Sequence, residues 1–226
     1  MSTPAMDSPV KPKGPIRRNV PALARGLFAT ALCLGSAAAA ADEVTCGSLV
    51  NAYGPFDYRT AEQAKLKLVE DYHFSRDVEA GRAGKTGKVG DDLDYVLRAF
   101  PNHQRALVAL VNVESREKTE KVPGLSWPVS CYFDRALRFA PDDREVVTIY
   151  GVYLLRHKQT TEAIAQFERA AELGEDSGNL HYNAGLAYFD AGDYDKALLH
   201  AHKAYALGFS LPGLRDKLKK KGKWVD

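Results

Sequence analysis

The sequence predicts an all-α fold, a solenoid of helix–turn–helix repeats. The first observation behind this prediction is that identical or similar residues recur 34 positions apart from residue 151 onward. The pairs in this register are Gly151 and Gly185, Leu154 and Tyr188, Ala163 and Ala197, Ala170 and Ala204, Leu173 and Leu207, and Gly174 and Gly208. The second is that helix-capping residues stand where each helix is expected to begin. A period of this length indicates one two-helix unit per repeat, stacked on its neighbours.

The 34-residue step and the residues that recur in it resemble the tetratricopeptide repeat family. Glycine and alanine recur where two helices would cross, while Leu154, Phe167 and Tyr188 fill the spaces between helices. The resemblance implies a superhelical scaffold in which the first helix of each repeat lines a concave groove. In this family such grooves commonly bind peptides or partner proteins, and the resemblance implies no catalysis.

Residues 144–210 are predicted to form two complete repeats, each with a first and a second helix. Short polar residues able to accept a hydrogen bond from a free backbone N–H precede the four helices. These caps are Asp143, Thr160 or Thr161, Ser177 and Asp193. Gly192 is expected to end the third of these helices.

Residues 90–141 are predicted to be degenerate repeats, one of them enlarged. Subtracting 34 from Phe167 leads to Phe133, which lies in the helical pattern "CYFDRALRFA". Pro101 and Pro141 each close a helical pattern, but they are 40 residues apart, six more than one repeat. The surplus lies in "REKTEKVPGLSWP", so the sequence predicts a long loop, carrying Trp127, between the two helices of this repeat.

The flanking segments complete a predicted array of about three to four repeats. Residues 42–89 are expected to be irregular, with one helix across "TAEQAKLKLVEDY". Residues 211–226 are expected to form a capping helix and a basic tail. Leu214 and Leu218 lie four positions apart there and would share the buried face of the helix.

Residues 1–41 have the pattern of a cleavable secretory signal peptide. A basic stretch, which holds Lys11, Lys13, Arg17 and Arg18, precedes the apolar block "GLFATALCLG" and the small residues "SAAAAA". The apolar block is too short to form a stable membrane-spanning helix. No membrane span is expected in the mature chain. Cleavage is predicted after Ala41, which makes Asp42 the new N-terminus and places the protein in the periplasm or outside the cell.

The charge of the mature chain gives no support for a nucleic-acid partner. The leader holds five of the 31 Lys and Arg residues and one of the 29 Asp and Glu residues. The rest of the chain therefore has 26 basic and 28 acidic residues, a net charge of −2. Nucleic-acid binding normally needs a basic surface, so this class of partner is not expected.

Two cysteines remain after cleavage, Cys46 and Cys131. In an oxidising compartment they are predicted to form a disulfide, whose long loop would stabilise the fold by roughly 4 kcal/mol. The alternative is two separate buried thiols. The sequence contains no CxxC motif and no Cys/His cluster, so neither a redox dithiol nor a metal site is predicted.

The stretch "EAGRAGKTGKVGDD" contains Gly84-Lys85-Thr86, which matches the end of a phosphate-binding loop. That motif also requires a glycine five positions before the second one, and this position holds Glu79. A carboxylate there would repel phosphates. The stretch is therefore predicted to be a flexible, glycine-rich connection, and no nucleotide or other cofactor is expected.

The resemblance also predicts which side chains line the groove. They are Asn112 and Arg116 in the enlarged repeat, Thr148 and Leu155 in the next, and Tyr182, Asn183 and Phe189 in the last. In some members of the family a ladder of asparagines holds a peptide backbone, and Asn183 matches that position. Ile149, one repeat earlier, does not match it. The alternative role for several of these residues is packing against the terminal helix.

The function predicted from these features is an exported scaffold that binds a protein or peptide in the cell envelope, without enzymatic activity. The alternative is an accessory or catalytic component of cell-envelope polymer handling, with the activity in the N-terminal half. That alternative requires a pocket on which Tyr72, His73, Asp91 and Arg98 converge.

Overall fold

The structure, a computed structural model, describes residues 46–225. The predicted leader, residues 1–41, and the predicted new N-terminus, Asp42, lie outside the described residues. Within the described range the chain forms ten helices and no strand, which confirms the predicted all-α fold. The helices are α1 (Gln63–His73), α2 (Arg76–Glu79), α3 (Val89–Ala99), α4 (Gln104–Glu117), α5 (Val129–Phe139), α6 (Arg144–Arg156), α7 (Thr160–Glu172), α8 (Gly178–Ala191), α9 (Tyr194–Ala206) and α10 (Gly213–Lys220). None of these helices is long and apolar enough to span a bilayer.

Helices α6 to α9 pack as two successive helix pairs, α6 with α7 and α8 with α9, and α7 also packs on α8. Two of the recurring glycines lie at close contacts. A Cβ atom on Gly151 would lie 2.6 Å from the ring of Phe167, and one on Gly185 would lie 2.5 Å from Leu214. The helices therefore approach one another closely at these two points, where glycine has no side chain.

Three of the predicted helix caps are confirmed. The side chains of Asp143, Ser177 and Asp193 each accept a hydrogen bond from the backbone N–H three residues later. The prediction for α7 is wrong, because its cap position is occupied by Gln159, which makes no side-chain cap, and Thr160 is already helical. The preceding residue, Lys158, has a φ of 63°, so the chain turns sharply between α6 and α7 and the helix begins one residue early.

The enlarged repeat consists of α4 and α5, joined by residues 118–128. Trp127 is fixed near the end of this connection. Its ring meets Tyr132 edge-on at 5.9 Å, and the guanidinium of Arg135 lies 4.3 Å from its centre. A Cβ on Gly47 would lie 2.7 Å from the same ring, so the connection is packed against the start of the described chain.

The predicted disulfide between Cys46 and Cys131 is present, with the two Cα atoms 5.0 Å apart. Beside it, Arg135 is almost completely buried. Its Nη1 donates to the carbonyl oxygen of Cys46 at 3.1 Å and to that of Ser48 at 2.6 Å. The disulfide and this guanidinium together attach the N-terminal segment to α5.

The segment that leads into α1 is attached a second time by Asn102, which is fully buried. Its side-chain amide donates to Asp57 at 2.8 Å and to Asp143 at 2.9 Å, and its side-chain oxygen accepts from the N–H of Tyr58. Asp143 is also the cap of α6. One amide thus connects the irregular N-terminal segment to the first complete repeat.

Helix α10 has the predicted capping role. Leu214 and Leu218 are fully buried, and they pack in an apolar cluster with Tyr182, Tyr188 and the alanines of α9. The larger apolar cluster extends from α1 to α8. The array therefore has one continuous core and a second, smaller one under its terminal helix.

Candidate functional site

Helices α4, α6 and α8 are the first helices of three successive helix pairs, and a cavity of about 430 Å³ lies between them. The residues that line it are Glu79, Gln104, Arg105, Val108, Ala109, Glu145, Thr148, Ile149, Glu175, Ser177 and Asn179. We call this cavity the groove. It has the position that the resemblance predicted for a concave binding surface.

The groove is built from equivalent positions of successive repeats. A step of 40 leads from Arg105 to Glu145, and a step of 34 leads from Glu145 to Asn179. All three residues line the groove. The same helix face therefore points into it in each repeat, and the residue type changes from basic to acidic to neutral along the array.

The floor of the groove is apolar. Val108 is 44% exposed, and Ala109 and Ile149 lie beside it. Exposed apolar surface inside a concave site, surrounded by polar groups, is typical of a binding site.

Arg105 does not contribute a free positive charge to the groove. Its Nε and Nη2 donate to the two carboxylate oxygens of Glu79, both at 2.8 Å, and its Nη1 donates to Glu70 at 3.1 Å. Glu70 also accepts from the buried His103 at 3.1 Å. The guanidinium is thus held by two carboxylates and links α1, α2 and α4.

Glu145 differs from the other charged residues of the groove. Within the described part of the chain it has no ion pair or hydrogen bond, whereas Glu175 pairs with Arg144 at 3.2 Å. Partial burial raises the pKa of Glu145, and the negative charges of Glu175 and Asp143 raise it further, while the positive charge of Arg144 opposes them. The groove therefore contains a carboxylate with no direct partner among the described residues, close to other negative charges.

One of the predicted groove residues, Thr148, lines the groove, although it is largely buried and its hydroxyl donates to the carbonyl oxygen of Arg144 at 2.9 Å. Asn183 does not line the groove. It lies one turn after the lining residue Asn179 on α8, and its Nδ2 donates to the backbone oxygen of Asn179 at 2.9 Å.

Tyr182 and Phe189 lie under the terminal helix, which is the alternative role considered for them. Tyr182 is only 9% exposed and its ring stacks on Phe209 at 4.2 Å. Phe189 meets Tyr194 edge-on at 5.3 Å, and the ammonium of Lys217 lies 5.2 Å from its ring. Both aromatic residues belong to the second apolar cluster.

The other three predicted residues connect helices to one another. Asn112 accepts a hydrogen bond from Arg156 at 3.0 Å, which links α4 to α6. Arg116 donates to the carbonyl oxygen of Gly81 at 2.5 Å. Leu155 packs against the larger apolar cluster. These contacts fix the C-terminal halves of α4 and α6, which lie beyond the groove-lining residues.

Sequence reasoning missed several groove residues, namely Gln104, Arg105, Val108, Glu145, Glu175 and Asn179. Three of them, Val108, Glu145 and Asn179, lie one turn before predicted positions on the same helices, and Gln104 and Arg105 lie about two turns before Asn112. Glu145 lies three residues before Thr148 on α6, and Asn179 lies 34 residues after Glu145. The 34-residue period would therefore have identified both residues if it had been started one helical turn before Thr148. Glu175 lies in the turn before α8, where the helical period gives no information.

The four residues that the enzymatic alternative requires each make a separate contact. His73 pairs with Asp92 at 3.0 Å, and its ring stacks on Tyr95. Arg98 pairs with Asp94 at 2.8 Å. Tyr72 is exposed. Asp91 accepts from the N–H of Lys88 at 2.7 Å and so caps α3.

The phosphate-loop-like stretch is occupied by one of the protein's own carboxylates. Asp92 is fully buried, and it accepts hydrogen bonds from the N–H groups of Lys85 at 2.5 Å and Thr86 at 3.1 Å. It also accepts from the hydroxyl of Thr86 at 2.6 Å. Glu79, at the position of the missing glycine, binds Arg105 instead. The N–H groups that would bind phosphate are therefore already used.

Among residues 46–225, no three His, Cys, Asp or Glu side chains lie together in a way that would hold a metal ion.

Comparison with known families supports the repeat assignment. Two overlapping stretches, residues 132–179 and 151–209, match the family model described as tetratricopeptide repeat. Residues 132–209 therefore consist of tetratricopeptide repeats. The matched part runs from α5 to the end of α9, and the enlarged repeat is included only through its second helix, α5.

Two solved structures of MamA AMB-1 are similar to the chain, each at 17% sequence identity and a TM-score of 0.45. One match covers 69% of this chain and 91% of that chain, and the other covers 72% and 85%. None of the curated proteins compared with the chain matches it. The assignment of tetratricopeptide repeats therefore rests on the family model and on the 34-residue period.

Proposed function

We propose that the protein is an exported scaffold of the cell envelope that binds a segment of a partner protein in the groove between α4, α6 and α8. The observation that carries this proposal is the exposed apolar floor at Val108, enclosed by polar side chains from successive tetratricopeptide repeats. Surface of this kind is expected to be covered when the protein performs its function.

The groove offers the two kinds of contact that an extended peptide needs. Val108 and Ile149 provide apolar surface for a side chain of the partner. The amide groups of Gln104 and Asn179 line the same groove, and amides can both donate to and accept from a peptide backbone. Binding would therefore combine one apolar anchor with several backbone hydrogen bonds.

Two features support the proposed export. The Cys46–Cys131 disulfide is of the kind that persists in oxidising compartments. Residues 1–41 have the order of basic, apolar and small residues that is typical of a cleaved leader. The intact mass of the protein recovered from the envelope of its own cells should correspond to a chain that starts at Asp42. A mass that includes residues 1–41 would contradict the proposed compartment.

The groove is tested by selecting peptides from a displayed random library on the immobilised chain of residues 42–226. One selected peptide is then titrated by fluorescence anisotropy. Val108→Asp should weaken its binding about thirtyfold or more, because loss of a central anchor typically costs at least about 2 kcal/mol.

Leu199→Asp is the matched control, since Leu199 is 55% exposed on α9 and does not line the groove. Both variants should keep the wild-type helical circular dichroism. If the selected peptides bind Val108→Asp as tightly as wild type, the groove is not the binding surface.

A further inference from the structure

If the groove is the binding surface, as proposed above, its charges select the partner. We infer that the groove binds a segment with a lysine or arginine side chain, which lies between Glu145 and Glu175 while a neighbouring apolar side chain covers Val108. These charges determine the chemical class of the partner, whereas the fold alone does not determine it.

The basic residues near the groove compensate only part of its negative charge. Arg105 is held by Glu79 and Glu70, at 2.8 and 3.1 Å. Arg144 is held by Glu175 at 3.2 Å and donates to the backbone oxygen of Gly174 at 2.9 Å. Both guanidinium groups are therefore occupied.

Glu145 is left without a partner among the described residues, and it lies on the first turn of α6 beside Thr148 and Ile149. Glu175 approaches the same cavity from the turn before α8. A cationic side chain from a partner would lie between two carboxylates and would relieve their mutual repulsion, which burial strengthens. An acidic side chain in the same place would be repelled by both.

The neighbouring groups of the groove suit the rest of such a segment. The side chains of Gln104, Ser177 and Asn179 are neutral and can accept hydrogen bonds from an ammonium or guanidinium group or from a peptide backbone. Val108 lies on α4, opposite α6 and α8, so an apolar residue adjacent to the basic one would contact it.

The test compares peptides selected on the wild-type chain of residues 42–226 with those selected on Glu145→Gln. Lys or Arg should be enriched at one position in the wild-type pool and should lose that enrichment on Glu145→Gln. A selected Lys peptide should lose about tenfold in affinity when its lysine is replaced by norleucine, and Glu145→Gln should abolish that difference.

Glu162→Gln is the matched control. Glu162 is exposed on α7, it does not line the groove, and the substitution changes the net charge by the same amount. This variant should retain the preference for lysine. Raising the salt concentration from about 0.05 to about 0.5 M should weaken the wild-type complex more than the Glu145→Gln complex.

The outcomes separate the two proposals. The selected peptides could bind tightly without a basic residue, lose affinity for Val108→Asp and keep their affinity for Glu145→Gln. That result would overturn the inference about a basic residue and leave the proposed function standing. Peptides that bind equally well to Val108→Asp would overturn both.

Discussion

Single residues determine how closely the tetratricopeptide repeats pack. Gly151 and Gly185 recur at the same position of two repeats, but their surroundings differ. A Cβ on Gly151 would contact the rigid ring of Phe167, while a Cβ on Gly185 would contact only a terminal methyl group of Leu214 closer than 3 Å. The ring is fixed in the core, whereas the methyl group can move when the leucine changes its rotamer.

Gly151→Ala should therefore destabilise the protein more than Gly185→Ala. Overpacking costs roughly 1–3 kcal/mol, and the higher helix propensity of alanine offsets up to about 1 kcal/mol. We expect a net loss of about 1–2 kcal/mol for Gly151→Ala and a change near zero for Gly185→Ala. Urea denaturation followed by circular dichroism measures both, and equal values for the two variants would contradict this explanation.

One histidine should make stability depend on pH. Burial lowers the pKa of His200 to about 4, and the positive charges of His181, Lys203 and Lys196 act in the same direction, while Glu168 opposes them. The unfolded chain, with an ordinary histidine pKa of about 6.5, binds a proton more readily than the folded chain. The contribution of His200 is therefore fully present above pH 6.5 and is lost as the pH falls towards 4.

The unfolding free energy should thus decrease between pH 7 and pH 5, and His200→Asn should reduce that decrease by roughly 1 kcal/mol. His202 is exposed on the same helix, so His202→Asn is the control and should keep the wild-type dependence. Identical pH dependence in wild type and His200→Asn would exclude this histidine as the source.

At the scale of helices, α10 stabilises only one end of the array. Its two buried leucines pack in the smaller apolar cluster with α8 and α9, apart from the larger cluster. Leu214→Ala should cost about 2–4 kcal/mol, because the leucine is fully buried. Hydrogen exchange should accelerate in α8 and α9 and stay near its wild-type rate in α3 to α5. Uniform acceleration would mean that the two clusters unfold as one.

Most helices could be predicted because their signals are local. The aspartate and serine caps and the leucine spacing of α10 lie within one or two turns of the structure they specify. The 34-residue period shows in addition which helices of successive repeats are equivalent. The cap of α7 could not be predicted, because the chain turns at Lys158, which has a positive φ, and Gln159 then takes the cap position one residue before the threonines.

The site was harder to predict than the fold. The period identifies which helix faces turn towards the groove, and one of the residues it selected, Thr148, lines the cavity. It cannot show that α10 and Phe209 cover Tyr182, because that contact joins parts of the chain outside the repeat. Nor can it show that Glu79 neutralises Arg105, since α2 belongs to the irregular N-terminal segment.

At the scale of the whole molecule, the disulfide joins the segment with the weakest sequence signal to the repeats. It closes a loop with a sequence separation of 85 residues. Cys131→Ser should reduce the unfolding free energy by roughly 2–5 kcal/mol in oxidising buffer. In reducing buffer the variant and wild type should be nearly equally stable. A difference that persists after reduction would instead reflect the packing of Cys131, which is fully buried.

The same covalent link determines how the protein would respond to a pulling force. If the chain is held at its two ends, tension enters at Cys46 and passes directly to Cys131 through the sulfur atoms, so α1 to α4 carry no load. Only the part of the chain after Cys131 should lengthen when a single molecule is stretched. Reduction should then release a further length of about 300 Å, at about 3.5 Å for each residue of the loop. For a scaffold in the cell envelope, the disulfide would thus protect one wall of the groove, α4, while the other wall is under strain.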